Sequence, residues 1–458
     1  MNRNVARYVS PCALSFILAT TVFARQPNII LIMADDLGYE TITANGGESY
    51  QTPSLDRLAA TGTRFDECYV QPLCTPTRVE LMTGMSNVRN YLRFGAINPS
   101  ATTFANLLKN AGYATAIAGK WQLGKEPHLP QKLGFDESCL WQHTRRPSRY
   151  ASPGLEYNGQ ERDFHNGEYG PDLVNDFALD FITRHKDEPF LLYYPMMLAH
   201  APYQPTPDSE EWNPKFNGAE RIKDPKYFAD MVAYMDKLVG SVTAKLDDLG
   251  LRDDTLIIFL GDNGTGGGIT SQFKGRAYHG GKGKTNARGM HVPLIVNWTN
   301  HVPAGNVSDD LVSSVDFLPT LCEAAGVQPP ESLAPDGQSF LPQALGEPGT
   351  PREWLYTWYA KDGSEGRKIE FARTKTHKLY AGGRFYDLSK DSFEDGEPAR
   401  EEQLTGEDAE AAKQLRTVLN QYTDARPPEL QKQSTAQPPR RARRGATRQN
   451  RRAQPTAE

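Results

Sequence analysis

The residues best suited to chemistry lie in a Cys-Thr-Pro-Thr-Arg run at positions 74–78. The apolar positions that follow this run predict a helix that starts near Thr75. Because the free N–H groups and the dipole of a helix N-terminus favour negative charge, an anionic ligand is expected beside Cys74. An unmodified thiol there would be a low-pKa thiolate, so a cysteine nucleophile is one interpretation of the run. No Cys/His hydrolase pattern accompanies it, which weighs against that interpretation.

Two polar pairs follow apolar runs that are typical of buried parallel strands. Asp35 and Asp36 close the run at 28–33, and Asp262 and Asn263 close the run at 255–260. An isolated Asp-Asp-x-Gly is more often a turn at the end of a strand. Here a second pair follows a second strand, and both would meet at one edge of the sheet. Oxygen donors suit Ca²⁺ or Mg²⁺ and argue against zinc, so the two pairs predict a hard-metal site.

Three further residues lie in short stretches bounded by glycine or proline. Lys120 and Lys282 have glycine neighbours, which let the backbone approach a ligand closely, and His200 begins a His-Ala-Pro sequence. A single lysine is usually a solvated surface charge and a single histidine usually has a structural role. Their context favours a catalytic role for these three, whereas His143 and His279 are expected to be structural.

In this order, the stretches resemble the active-site set of the type I sulfatases, a family of the alkaline-phosphatase superfamily. The longer run Leu-Cys-Thr-Pro-Thr-Arg-Val-Glu-Leu-Met-Thr-Gly at 73–84 matches the family signature, and the resemblance spans roughly residues 27–425. It implies that a formylglycine-generating enzyme oxidises Cys74 to formylglycine, whose aldehyde hydrate is the nucleophile. It also implies a shell for Ca²⁺, with Mg²⁺ as the alternative, made of formylglycine-74 and these four residues: Asp35, Asp36, Asp262 and Asn263.

The resemblance implies a role for each remaining site residue. Lys120 and Lys282 would bind the sulfate oxygens, Arg78 would orient the aldehyde hydrate, and His200 would protonate the leaving alcohol. Gln122 stands where the family usually has a histidine. The resemblance implies that this histidine contacts the formylglycine hydroxyl and assists the release of sulfate. Glutamine cannot take up a proton at neutral pH, so it would not assist that step in the same way.

The order of the apolar runs predicts an α/β fold. Buried strands alternate with helical patterns, as at 101–111 and 226–249, which indicates a large mixed, mostly parallel sheet sandwiched by helices. The run at 292–296 has the same character as the other buried strands. After residue 345, short strands and a helical pattern at 409–422 predict a smaller α+β subdomain over 346–425, so the catalytic domain is expected over 25–345.

The two ends of the chain differ from its middle. Residues 1–24 have the basic start, apolar centre and small-residue cleavage site of a signal peptide, which predicts an exported protein, periplasmic or extracellular. Residues 426–458 are rich in proline, glutamine and arginine and predict a disordered basic tail. The apolar segments are too short for stable membrane insertion. A net charge of −5 argues against nucleic-acid binding by the whole molecule.

The substrate is less clearly encoded than the chemistry. A sulfated small molecule or glycan is expected, and a carbohydrate sulfate in particular. The basic stretch 143–150, with Arg145 and Arg146, is either a subsite for an anionic glycan or a surface loop. Two alternatives stay open: a phosphodiesterase or phosphonate hydrolase of the same superfamily, and a glycan-binding relative with weakened catalysis. The two lysines favour the sulfatase, and the intact set of site residues argues against decay.

Overall fold

The computed structural model describes residues 26–215, 224–333 and 335–433 of the chain. The predicted signal peptide at 1–24 lies outside the described residues, as does the predicted tail from 434 onward. No helix within the described ranges is both long enough and apolar enough to cross a membrane.

The first strand shows why the sheet lies in the middle of the molecule. All seven residues of Asn28–Ala34 are buried. Its alternate side chains enter two different hydrophobic clusters, with Leu31 in one and Ile32 in the other. Since successive side chains of a strand point to opposite faces, both faces of the sheet are covered.

In the described part of the chain, seventeen strands form three sheets. The large sheet has ten strands in the order β12-β2-β11-β8-β1-β7-β3-β4-β5-β6, a two-stranded sheet pairs β9 with β10, and a C-terminal sheet has the order β13-β14-β15-β16-β17. The strands are β1 (Asn28–Ala34), β2 (Thr63–Tyr69), β3 (Ala114–Lys120), β4 (Glu137–Trp141), β5 (Gly154–Tyr157), β6 (Gln160–Asp163), β7 (Phe190–Pro195), β8 (Thr255–Gly261), β9 (Thr270–Phe273), β10 (Arg276–His279), β11 (Leu294–Asn297), β12 (Asn306–Ser313), β13 (Leu355–Tyr359), β14 (Ile369–Arg373), β15 (His377–Tyr380), β16 (Arg384–Asp387) and β17 (Ala399–Arg400).

The centre of the large sheet is parallel, as predicted. β1 pairs in parallel with β7 and β8, and β3 pairs in parallel with β7 and β4. The expectation that the run at 292–296 continues the parallel set was wrong, because β11 is antiparallel to both β8 and β2. All four of its residues are buried, and burial on both faces gives the same apolar sequence in either direction.

Helices cover both faces of this sheet, as the sequence predicts. Buried residues of α1, α6 and α7 belong to one hydrophobic cluster, and those of α2, α4 and α9 belong to the other. The helices are α1 (Pro53–Ala60), α2 (Cys74–Thr83), α3 (Asn87–Asn90), α4 (Phe104–Asn110), α5 (Leu129–Lys132), α6 (Gly170–Arg184), α7 (Phe228–Asp248), α8 (Ala287–Met290), α9 (Phe317–Ala324), α10 (Leu341–Ala344), α11 (Gly406–Gln421) and α12 (Pro428–Gln433).

The C-terminal strands and α11 form the smaller α+β part. Its sheet is antiparallel throughout, and Leu379 of β15 and Leu415 of α11 belong to the same cluster as α2 and α4. The structure differs from the prediction at residue 426, where the disordered tail was expected to begin. Arg426 is buried and α12 follows it, so residues 426–433 are part of the fold.

Candidate active site

The predicted site residues come together at the carboxyl ends of the central strands. Asp35 and Asp36 follow β1, Lys120 ends β3, and Asp262 follows β8. Cys74 is the first residue of α2, within one position of the predicted helix start, and it is buried. Parallel strands present these positions at one edge, which brings groups distant in sequence into a single cluster.

Three carboxylates form the acidic part of the cluster. Asp36 accepts a hydrogen bond at Oδ1 from Asn263 Nδ2 at 2.9 Å, and the backbone N–H of Asp36 donates to Asp262 Oδ1 at 3.0 Å. Ligand atoms of Asp35, Cys74 and Asp262 all lie within 4.8 Å of one another. Asp35, Asp262 and Asn263 are fully buried.

Two cations share Asp35. Lys120 Nζ contacts its two carboxylate oxygens at 2.7 and 2.8 Å, and Arg149 donates to Oδ2 at 3.2 Å. Burial by itself raises the pKa of Asp35, but Lys120, His200, Arg149 and Lys282 outweigh it and hold that pKa well below its ordinary value. Asp35 is therefore a carboxylate in the folded protein.

The charges around Asp262 differ from those around Asp35. Arg78 donates to Oδ2 of Asp262 at 2.9 Å and to the backbone carbonyl of Lys120 at 3.0 Å. Burial and the neighbouring Asp35 carboxylate outweigh this cation and raise the pKa of Asp262 to about 6. A cation placed between Asp35 and Asp262 would relieve that repulsion.

Lys282 and His200 both face Asp36. Lys282 Nζ lies 2.5 Å from Asp36 Oδ1, and His200 Nε2 lies 3.6 Å from Oδ2. The other ring nitrogen, Nδ1, lies 2.5 Å from the carbonyl of Ala201 and donates to it. Burial lowers the pKa of His200 to about 4, although Asp35 and Asp36 raise it, so the ring is neutral. Because Nδ1 carries the proton that is donated to Ala201, Nε2 is the nitrogen that can take up and release a proton.

Gln122 contacts the predicted nucleophile directly. The Cys74 thiol lies 2.8 Å from Gln122 Oε1, which accepts its hydrogen bond. Burial raises the pKa of Cys74, despite the lowering effect of Lys120. The expectation of a low-pKa thiolate at the helix start was therefore wrong, because desolvation outweighs the helix N-terminus and the nearby lysines.

Arg149 is a site residue that the sequence did not single out. It donates to Asp35 and to the carbonyl of Met197 at 3.2 Å, and its guanidinium stacks on Trp141 at 3.9 Å. Arg145, which was considered for a subsite, instead pairs with Glu161 and Asp163 of β6. The basic stretch did contain a signal, but spacing alone did not show which arginine turns inward.

The two histidines that are expected to be structural lie apart from the cluster. His143 is buried between Glu156 and the carbonyl of Glu126, at 3.0 Å from each. His279, on β10, lies 2.9 Å from the hydroxyl of Thr270. Neither contacts the acidic cluster, which agrees with a structural role for both.

The donor set fits a hard divalent cation. Carboxylates of Asp35, Asp36 and Asp262 converge, and the buried Oδ1 atom of Asn263 has no hydrogen-bond partner among the described residues. An unsatisfied buried amide oxygen is costly, and it is the kind of ligand that Ca²⁺ and Mg²⁺ accept. These four side chains are thus able to hold the metal that the sequence predicts.

Comparison with known proteins decides the family. The sequence model of the sulfatase family matches residues 27–327. The chain belongs to the sulfatase family. A second model, described as N-sulphoglucosamine sulphohydrolase, C-terminal, matches residues 283–422. The chain is accordingly a sulfuric ester hydrolase, and the predicted family, fold class and enzyme class are confirmed.

Curated relatives and a solved structure extend this likeness. Human arylsulfatase A is 33% identical over 408 residues, which cover 78% of this chain and 75% of the relative. N-acetylgalactosamine-6-sulfatase of Canis lupus familiaris is 32% identical over 372 residues, covering 72% and 68%. The crystal structure of Ps i-CgsB in complex with k-i-k-neocarrahexaose has a TM-score of 0.74 and 26% identity, covering 90% of this chain and 94% of that one.

Proposed function

We propose that this sulfatase is exported and removes sulfate esters from a sulfated glycan, with a formylglycine made from Cys74 as its nucleophile. The observation that carries the proposal is the convergence of four cationic side chains and three carboxylates beside the buried Cys74. The four cations are Arg78, Lys120, Arg149 and Lys282. Once a divalent metal is bound, the site has a net positive charge that suits an anionic ester.

The glycan part of the proposal is supported by the relatives. One is named for removing sulfate from N-acetylgalactosamine, and one solved structure holds a neocarrahexaose. Export is supported by the signal-peptide pattern of residues 1–24. A formylglycine-generating enzyme is then the required maturation partner.

Each site residue has a task in this proposal. Asp35, Asp36, Asp262 and Asn263 would hold Ca²⁺ or Mg²⁺, with formylglycine-74 completing the shell. The metal supplies Lewis-acid stabilisation of negative charge, and the hydrated aldehyde supplies an attacking oxygen and a second hydroxyl for release of sulfate.

The cations and His200 act on the substrate. Lys120 and Lys282 bind the sulfate oxygens, and Arg78 fixes the position of Asp262 and of the nucleophile. His200 Nε2 faces the cluster, and an anionic sulfate beside it favours the protonated ring. That nitrogen gives its proton to the oxygen of the leaving alcohol.

Gln122 supports the nucleophile through hydrogen bonding. Its Oε1 already accepts from the Cys74 side chain at 2.8 Å. In the mature enzyme the same oxygen would orient a hydroxyl at position 74. Because an amide takes up no proton at neutral pH, proton removal in the release step must go to water or to another group.

Tandem mass spectrometry of the tryptic peptide 65–78 tests the nucleophile. The protein should come from its native source or from co-expression with a formylglycine-generating enzyme. An aldehyde at Cys74, localised by fragment ions because Cys68 is in the same peptide, supports the proposal. An intact thiol at Cys74 under these conditions overturns the formylglycine mechanism.

Turnover assays on the converted protein test the reaction. p-Nitrophenyl sulfate and a panel of sulfated oligosaccharides should be hydrolysed faster than bis(p-nitrophenyl) phosphate and an aryl phosphonate ester. The reverse preference would select the phosphodiesterase or phosphonate hydrolase alternative. Oligosaccharide binding without release of sulfate would select the glycan-binding alternative.

A further inference from the structure

Two loops from different parts of the chain border the active site and form one wall. They are residues 91–95, which follow α3, and residues 359–363, which begin at the end of β13; together they are called the two-loop wall. The backbone N–H of Gly95 donates to Thr75 Oγ1 at 3.1 Å, directly beside Cys74. Just after the first loop, Ile97 N–H donates to the carbonyl of Leu123 at 2.8 Å, next to Gln122. The wall therefore adjoins the nucleophile.

The two loops are fastened to each other by backbone contacts. Phe94 N–H and the Tyr91 hydroxyl both donate to the carbonyl of Lys361, at 2.9 and 3.2 Å. Gly363 has a φ of +74°, and a Cβ there would lie 1.9 Å from the carbonyl oxygen of Leu92. Only glycine allows this close approach, so the loops are held as one surface.

Arg426 fixes the same pair of loops from behind. Its guanidinium donates to the carbonyls of Val88, Tyr91 and Gly363 at 3.3, 3.2 and 2.8 Å, and stacks on Trp358 at 4.4 Å. A buried arginine whose donors are spread over both loops makes the wall rigid. Groups displayed on it are thus pre-positioned for a ligand.

The wall carries two exposed cations without acidic partners. Arg93 and Lys361 are exposed, and neither has an ion pair with any carboxylate in the described part of the chain. Lys361 Nζ lies over the ring of Phe94, 5.3 Å from its centroid. Exposed lysines elsewhere do pair, for example Lys226 with Glu211 at 2.9 Å. Two unpaired cations on a wall that adjoins the active site are available to a ligand.

Tyr359, the first residue of the second loop, adds a polar group to the two-loop wall. It is half-buried, and within the described residues its hydroxyl has no hydrogen-bond partner. Burial raises the pKa of Tyr359 to about 12. At neutral pH it is a hydrogen-bond donor.

We propose that Arg93, Tyr359 and Lys361 form a second anion subsite. This subsite binds a further negatively charged group, a sulfate or a carboxylate, on the glycan whose sulfate ester reacts at position 74. The inference rests on the proposed function and extends it, because it makes the preferred substrate a sugar that bears at least two acidic groups. Two cations and a hydroxyl match the oxygens of such a group.

Competition assays test the subsite. Hydrolysis of p-nitrophenyl sulfate by the converted enzyme is measured with three tetrasaccharides as competitors: ι-carrageenan (several sulfates), chondroitin 6-sulfate (sulfate and carboxylate) and desulfated chondroitin (carboxylate only). In Arg93→Glu/Lys361→Glu, the ratio of a competitor's inhibition constant to the KM of the aryl sulfate should rise about tenfold for at least one of the three. Comparing the sulfated competitors with the carboxylate-only competitor identifies which group the subsite binds.

A matched control separates the subsite from overall charge. Lys390→Glu/Lys413→Glu changes the net charge equally at two side chains that are 78% exposed, and it should leave the ratio unchanged. An equal rise in both double variants would show a general charge effect and overturn the proposal. An unchanged ratio in Arg93→Glu/Lys361→Glu, or no competition by any of the three in the unaltered enzyme, would also overturn it.

Calorimetry keeps the two proposals distinguishable. The same tetrasaccharides are titrated into Cys74→Ala, with and without the Arg93→Glu/Lys361→Glu changes. Weaker binding in the triple variant supports the subsite even if the converted enzyme fails to hydrolyse sulfate esters. Equal binding contradicts the subsite even if sulfatase activity is found.

Discussion

The catalytic cluster and the two-loop wall lie side by side but are held together in different ways. In the cluster, charged side chains contact charged side chains, as Lys120 contacts Asp35 at 2.7 Å. In the wall, one arginine contacts backbone carbonyls, as Arg426 contacts Gly363 at 2.8 Å. A contact between two charged side chains requires a particular residue type at both positions. A contact between a side chain and a backbone carbonyl requires a particular residue type only at the position of the side chain.

This difference has a functional consequence. A cluster of mutually compensating charges tolerates little change, since removing one partner leaves a buried charge unpaired. A wall built on backbone carbonyls allows its displayed side chains, such as Arg93 and Lys361, to vary without loss of the loop structure. Chemistry is thus expected to depend on the cluster and substrate choice on the wall.

The largest effect is expected at Cys74, the residue proposed to become the nucleophile. Cys74→Ser should lower turnover of p-nitrophenyl sulfate by at least about a thousandfold, because serine offers no second hydroxyl to release sulfate. Single-turnover and steady-state assays on the purified variant measure this. Cys68→Ala, altered in the same tryptic peptide, should keep the activity of the converted enzyme per folded molecule. Full activity in Cys74→Ser would remove the proposed mechanism.

The second-largest effect is expected at Arg149, which belongs to the cluster although the sequence did not single it out. Arg149→Met removes a cation from Asp35 and should weaken binding of Ca²⁺ or Mg²⁺ by about 10–100-fold, as loss of a residue that orients a metal ligand commonly does. Calorimetric titration of the metal measures this independently of activity.

Arg146→Met is the matched control for Arg149, because Arg146 is an exposed arginine of the same stretch. It should bind metal as the parent protein does. Equal metal affinity in Arg149→Met and the parent would mean that Lys120 alone positions Asp35. That outcome would remove Arg149 from the cluster.

The acidic residues of the cluster could be singled out in the sequence because they follow uninterrupted apolar runs. The runs at 28–33 and 255–260 became β1 and β8, and the polar residues after them came together as the fold class requires. Gln122 was also noted from its position, and it contacts Cys74. Strand direction was less accessible, since the fully buried β11 has no polar face to show which way it runs.

The wall could not be predicted for a physical reason. Three partners of Arg426 are carbonyl oxygens, which every residue possesses, so residues 88–91 and 363 contain no matching signal. Its one ion pair, from Nε to Glu365 Oε1 at 3.1 Å, does not join the two loops. Arg426 also precedes Pro427 and Pro428 in a region whose composition is typical of disorder. Composition is an average over many residues, so it did not reveal that this one arginine is buried and hydrogen-bonded to three carbonyls.

A stability measurement on Arg426 tests whether the wall depends on it. Arg426→Met should lower the free energy of unfolding by about 2 kcal/mol, because buried carbonyls lose their donors. Thermal and urea unfolding measure this. Arg426→Lys should recover only part of the loss, since a single ammonium cannot span the three carbonyls. Arg400→Met, at an exposed position, should change little. Equal stability of Arg426→Met and the parent would contradict the role of this residue.

The smallest effect is expected at Glu80. This residue tests the difference between a buried carboxyl group that has cations beside it, such as Asp35, and one that is buried with hydrogen-bond donors only. Glu80 is buried in α2 and receives hydrogen bonds from Gln71, Asn87 and Ser314, but none of the main influences on its pKa is a cation. Burial raises the pKa of Glu80 to about 7, whereas Asp35, equally buried, is held well below its ordinary value.

The raised pKa of Glu80 sets the direction of a pH effect. Between the unfolded value near 4.5 and the folded value of about 7, the folded protein keeps a proton that the unfolded chain releases. The contribution of Glu80 to stability is thus largest at low pH and is lost as the pH rises through this window. Glu80→Gln removes that loss, so its melting temperature relative to the parent should be higher at about pH 8 than at about pH 5, by about 2 °C. A relative melting temperature that is the same at both pH values would show that Glu80 titrates at its ordinary pKa, and that the hydrogen bonds from Gln71, Asn87 and Ser314 compensate its burial as completely as the cations compensate that of Asp35.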